Sequence, residues 1–148
     1  MSDTITVRTS GGETMTTDQM HQEIEEYLGR VPSWMELLAE PASEHSWGIF
    51  RDLGLGETEL SPREKALIEL GAAAAMKCPY CTYFHKEEAR LSAVTDDELE
   101  EAVNLASVTS YFSTILHGNE VDYDDFVAET DEIMAYVGEQ ESAAAADD

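Results

Sequence analysis

The chain has 148 residues, 43% of them hydrophobic, and its 32 acidic and 8 basic side chains leave a net charge of −24. One domain is the default at that length, and the Lys and Arg needed to hold nucleic-acid phosphates are too few. No run reaches the roughly 18 apolar residues of a membrane span and the N-terminus lacks a signal-peptide layout, so a cytoplasmic globular protein with neither nucleic-acid nor membrane partner is expected.

Residues 1–16 are polar and Thr-rich with Gly11-Gly12, and they read as a flexible arm in which Ile5 and Val7 alternate as in a short strand. From there to 138 the signals are helical. Thr17 or Asp18 caps a helix carrying Met20, Ile24, Tyr27 and Leu28 and ending at Gly29. Ser33-Trp34-Met35-Glu36 has capping-box spacing and opens a helix through Leu38. Pro41 starts the next, with Trp47, Ile49, Phe50 and Leu53 before Gly54.

Ser61-Pro62-Arg63-Glu64 is the clearest start signal: Ser61 as N-cap, Pro62 at the first helical position, and Glu64 three residues after the cap. The following helix is small-sided through Gly71-Ala72-Ala73-Ala74-Ala75, and Cys78-Pro79 ends it and begins another through about Leu91. Thr95-Asp96-Asp97-Glu98 caps a long helix with Leu99, Val103, Phe112 and Ile115, stopped by Gly118. A last helix with Phe126, Ile133 and Val137 ends at Gly138, leaving 139–148 as an acidic flexible tail. With no strand–helix alternation, the expected fold is all-α.

The acidic residues are spread over every segment, and no Lys or Arg follows Arg90. Self-repulsion of that size disfavours a compact state at low salt and is screened at molar ionic strength, where the Debye length is about 3 Å. The composition therefore reads as halophilic.

The only two cysteines fall in Cys78-Pro79-Tyr80-Cys81-Thr82-Tyr83-Phe84-His85. At about 100° per residue, Cys78, Cys81 and His85 lie within roughly 60° on one helix face. Cys78 is beside the N-cap, where unpaired N–H groups and the dipole favour thiolate, and His85 is one turn beyond Cys81, within proton-transfer reach. Two thiols that can cycle through an intrahelical disulfide, with a proton acceptor nearby, make a dithiol oxidoreductase site. Two structural cysteines, a static disulfide, or a zinc site of Cys78, Cys81 and His85 with His45, His117 or a carboxylate are the competing readings. A non-catalytic redox-sensing or zinc-binding helical module is the corresponding alternative function.

The stretch Leu60-Ser61-Pro62-Arg63-Glu64-Lys65-Ala66-Leu67-Ile68, then Cys78-x-x-Cys81-x-x-x-His85, then Ala93-Val94-Thr95-Asp96-Asp97-Glu98-Leu99, resembles the carboxymuconolactone decarboxylase superfamily and within it the alkylhydroperoxidase AhpD-like branch. The likeness runs over about residues 24–118. It implies an AhpD-like helical bundle assembled as a homotrimer or homohexamer. It also implies reduction of hydroperoxides or partner disulfides with no bound cofactor, with a thiol or redox protein as reductant. Carried over by motif, Cys81 is the peroxide-attacking thiolate, Cys78 resolves the sulfenic acid, and His85 belongs to the proton relay. The family's relay Glu, twelve residues before the first cysteine, is Ala66 here. Glu69, one turn nearer the cysteines on about the same face, is the substitute; Glu88, on the face of Cys81 and His85, is a second, and Glu64 is the cap partner.

His117 beside Gly118 reads as a helix C-terminal residue facing the dipole, and His21 and His45 as surface groups. Trp34, Trp47, Tyr80, Tyr83 and Phe84 are read as packing residues before pocket residues.

Overall fold

The computed structural model describes residues 15–146. Six helices run through them: α1 Thr17–Leu28, α2 Glu40–Ile49, α3 Pro62–Ala75, α4 Pro79–Leu91, α5 Asp96–Gly118 and α6 Tyr123–Ala146. A 3₁₀ turn at Ser33–Leu37 precedes α2, and a π-helical turn at Phe50–Leu55 follows it. No strand occurs among the described residues, as the periodicity predicts; the strand alternation at Ile5 and Val7 lies outside them. The chain divides within α3 into two compact units, residues 1–65 and 66–148.

In the first unit, Thr16 caps α1. Its hydroxyl accepts from Gln19 N–H and the Gln19 side chain accepts from Thr16 N–H, so the cap falls one residue before the expected Thr17 and two before Asp18. Gly29 closes α1 at φ 75°, a left-handed conformation that glycine adopts without steric cost. Met20, Ile24, Met35 and Trp47 form the buried core, and Met15, Leu28, Val31, Leu38, Phe50 and Leu55 pack against it. The helix expected to open at Ser33 is a five-residue 3₁₀ turn with Pro32 at its cap and no side-chain capping bond. So short a stretch ahead of Pro41 cannot repay α-helix nucleation.

The π-helical turn needs two devices. A Cβ on Gly56 would stand 2.6 Å from the Asp52 carbonyl oxygen, so only glycine fits there. Lys65, 7% exposed, sends its ammonium back to the carbonyls of Leu53 and Gly56 at 2.8 and 2.7 Å. A buried amine is tolerated because it meets these two acceptors. At the head of α3, Ser61 N–H donates to Glu64 (2.7 Å) and Glu64 N–H donates to the Ser61 hydroxyl (3.3 Å), which is the reciprocal cap the sequence predicts.

In the second unit, Ala66, Leu70, Ala89, Val94 and Leu99 form the core, with Leu67, Ala102 and Val103 against it. Gly71 faces α5, where a Cβ would make ordinary contact with the Ala106 methyl at 3.8 Å. Thr95 and Glu98 complete the second predicted capping box.

Helices α3, α4 and α5 all end the same way. The N–H groups of Cys78, Val94 and Val121 reach five residues back, to Ala73, Ala89 and Leu116, while those of Lys77, Ala93 and Glu120 reach three back, to Ala74, Arg90 and His117. These are Schellman closures, and the left-handed residues are Lys77, Ala93 and Glu120, with φ of 58°, 58° and 52°. None is glycine. Gly118, expected to stop α5, is its last helical residue, with Glu120 as the turning point. Gly138 does not stop α6 either, which continues to Ala146.

Candidate active site

The site is built where α3 hands over to α4. Lys77 turns the chain in its left-handed conformation and Cys78 follows as the N-cap of α4, with extended backbone at φ −89° and ψ 104°. Pro79 occupies the first helical turn, where its missing N–H would have had no helical partner. The Cys78 sulfur takes the place of a capping oxygen: it accepts from Cys81 N–H at 3.2 Å. One turn on, Cys81 is joined to Cys78 in a disulfide, with their Cα atoms 5.4 Å apart. Both cysteines are half-buried, neither sealed in hydrocarbon nor fully exposed.

The local charge runs against that of the chain. From Leu70 to Lys86 there is no acidic residue, and Lys77 and Lys86 bracket the cysteine–histidine motif. An N-terminal helix dipole and a backbone N–H aimed at sulfur both favour a thiolate at Cys78 once the disulfide is reduced.

His85 lies one turn beyond Cys81 on α4 and meets two carboxylates. Its Nδ1 is 2.9 Å from Glu88 Oε2 on the same helix and 3.4 Å from Glu69 Oε2 on α3. The side chains of His85, Glu69 and Glu88 are 17%, 37% and 20% exposed, so the trio is partly withdrawn from water and still open to it. The sequence offered Glu69 and Glu88 as alternatives; in the folded unit both stand at the same ring nitrogen. Ala66, where the resembled family carries its carboxylate, is completely buried among Leu70, Ala89, Val94 and Leu99. A carboxylate there would face hydrocarbon, whereas Glu69, one turn later, faces the imidazole. Glu64 is engaged with Ser61, whose hydroxyl and N–H hold its carboxyl below the usual range.

The aromatic residues divide. Trp47 is core, fully buried, and donates through Nε1 to Glu23 at 2.8 Å, and Glu23 in turn pairs with Arg51. Tyr80 and Tyr83, on the cysteine-bearing helix, are 85% and 72% exposed, so core packing within the chain does not account for them. Phe84 stands edge-on to the His85 ring with 5.3 Å between centroids. His117 sits in the last turn of α5, as the sequence suggests, and belongs to neither the thiol nor the carboxylate cluster.

The profile of the carboxymuconolactone decarboxylase family matches residues 37–121, more than half of the chain. A search of curated proteins returns no match. The solved structure of a Methanobacterium thermoautotrophicum protein is similar at 32% identity with a TM-score of 0.51, over 60% of this chain and 97% of that one. The alkylhydroperoxidase AhpD core of Rhodospirillum rubrum is similar at 20% identity with a TM-score of 0.64, over 75% of this chain and 85% of that one, a likeness of fold.

Proposed function

The chain belongs to the carboxymuconolactone decarboxylase family, and from that premise we propose that it is an AhpD-like dithiol oxidoreductase that reduces organic hydroperoxides or the disulfide of a partner protein. The observation that carries this reading is the Cys78–Cys81 disulfide at the N-terminus of α4, followed one turn later by an imidazole held between two carboxylates. Lactone decarboxylation has no use for a cycling cysteine pair.

In the first step the Cys81 thiolate attacks the outer peroxide oxygen. The S–O bond forms, the O–O bond breaks, and the departing alkoxide takes a proton supplied through His85. Cys81 is then a sulfenic acid. The Cys78 thiolate attacks its sulfur, the S–S bond forms, and the hydroxyl leaves as water with a second proton. Low basicity at Cys78, which its N-cap position supports, keeps this sulfur deprotonated for resolution. Two electrons from an external dithiol, or from two thiols, restore the starting state by exchange. Glu69 and Glu88 orient the His85 ring through Nδ1.

The exposed apolar side chains of α5 and α6, among them Leu105, Tyr111, Phe112, Ile133 and Tyr136, support a homotrimeric or homohexameric assembly. The acid excess supports a halophilic, cytoplasmic setting. No helix among the described residues is long and apolar enough to cross a membrane.

Steady-state reduction of an organic hydroperoxide with a dithiol reductant tests the proposal. Turnover should vanish in Cys81→Ser and in Cys78→Ser, and undiminished turnover in Cys81→Ser would exclude this sulfur as the nucleophile.

A further inference from the structure

His85 presents a single ring nitrogen to two carboxylates. Nδ1 is 2.9 Å from Glu88 Oε2 and 3.4 Å from Glu69 Oε2, and the three donor atoms lie within 4.8 Å of one another. Nδ1 carries at most one hydrogen, so only one of the two carboxylates receives a full hydrogen bond from it. A divalent cation at the centre of the trio would take all three donors at once. Donors about 2.1 Å from a tetrahedral zinc ion stand about 3.4 Å apart. The Glu69 contact matches that edge at 3.4 Å, and the Glu88 contact, at 2.9 Å, would open slightly around an ion. One imidazole and two carboxylates form a borderline, nitrogen–oxygen donor set that suits zinc. Two carboxylates also match the charge of a divalent ion.

We infer that Glu69, His85 and Glu88 constitute a zinc-class divalent-cation site, with its fourth position left to water, and that filling it arrests the enzyme. The consequence rests on the proposed function; the site itself does not. A metal on Nδ1 occupies the lone pair that holds the proton facing the carboxylates, so His85 can no longer pass a proton through that atom. The ligands come from two helices, α3 and α4, and their partial exposure gives an ion a route in. This donor set contains no sulfur, unlike the Cys78, Cys81 and His85 set considered from the sequence, so it is available in the disulfide form. The cation is therefore an inhibitor that competes with proton transfer and not a cofactor.

The test is calorimetric titration of the disulfide form with zinc in molar KCl, where weak binding to the many surface carboxylates is screened. One site per chain is expected, weakened at least about tenfold in Glu69→Gln and in Glu88→Gln and unaltered in the distant control Asp131→Asn. Circular dichroism checks that each variant is folded, and Glu69→Asp, which keeps the carboxylate, should retain part of the affinity. Absence of a stoichiometric site, or one indifferent to both glutamine variants, overturns the inference. In a parallel peroxide assay zinc should abolish turnover and a chelator should restore it; zinc bound at the cluster with turnover unchanged would overturn the inhibitory half. Turnover without a zinc site removes this inference and leaves the proposed function standing. A zinc site without turnover removes the proposed function and the inhibitory half with it, and leaves the site standing.

Discussion

At the level of single residues, the α3 carboxylate beside His85 comes from Glu69 and not from position 66. The buried methyl of Ala66 sits in a hydrocarbon cluster, while Glu69, three residues on, has its carboxylate 3.4 Å from His85 Nδ1. Moving the acid to position 66 should therefore harm the fold. Ala66→Glu is expected to cost about 2–4 kcal/mol from overpacking and an unpaired buried charge, read as a lowered denaturant midpoint. Unchanged stability would show that position 66 has access to water. Glu69→Gln should leave the midpoint nearly unmoved and lower kcat/KM for peroxide by about 10–100-fold; a purely structural Glu69 would show the opposite pattern. The cysteine pair and His85 were legible in the sequence because their spacing, 78, 81 and 85, is a single helix face. That Glu69 and Glu88 both reach the imidazole was not, since one comes from α3 and its direction depends on how α3 and α4 pack.

The starts at Ser61 and Thr95 and the stops at Gly29, Leu91 and Gly118 are legible in the sequence, whereas the 3₁₀ turn at Ser33 and the run of α6 past Gly138 are not. Starts and stops differ in their chemistry. Starts carry side-chain caps whose partners are three residues away, as at Ser61 with Glu64 and Thr95 with Glu98, so a local pattern specifies them. Stops at Lys77, Ala93 and Glu120 use left-handed residues other than glycine, and nothing in the local sequence marks them. Val94, the residue after Ala93, is buried, and that tertiary contact offsets the backbone cost. Lys77→Gly and Ala93→Gly should each raise stability by about 1 kcal/mol, measured by chemical denaturation, and a loss on either substitution would contradict the Schellman assignment. The α3 cap also has a pH signature. Glu64's carboxyl is held below its usual range by Ser61, so its contribution is present above the ordinary carboxylate pKa and lost as pH falls through the lowered value. Glu64→Gln should flatten that acid limb, and an unchanged acid profile would show that the cap does not depend on the ionised form.

On the scale of the whole molecule, the decisive quantities are a charge of −24 and the apolar side chains left exposed on α5 and α6. Melting temperature should climb steeply between dilute buffer and molar KCl as the Debye length shrinks to about 3 Å; a salt-independent melt would remove the halophilic reading. Native mass measurement should give a trimer or hexamer, and Phe112→Glu should shift it towards the monomer; a wild-type monomer at micromolar concentration would refute the assembly. All these features serve a claim about two sulfur atoms on α4. It is tested most directly by mass spectrometry of reduced, then alkylated protein before and after one equivalent of organic hydroperoxide. The account predicts alkylation of both cysteines before the pulse, a Cys78–Cys81 link after it, and a trapped sulfenic acid on Cys81 in the Cys78→Ser variant. Cysteines that stay alkylatable and unlinked after the pulse would contradict it.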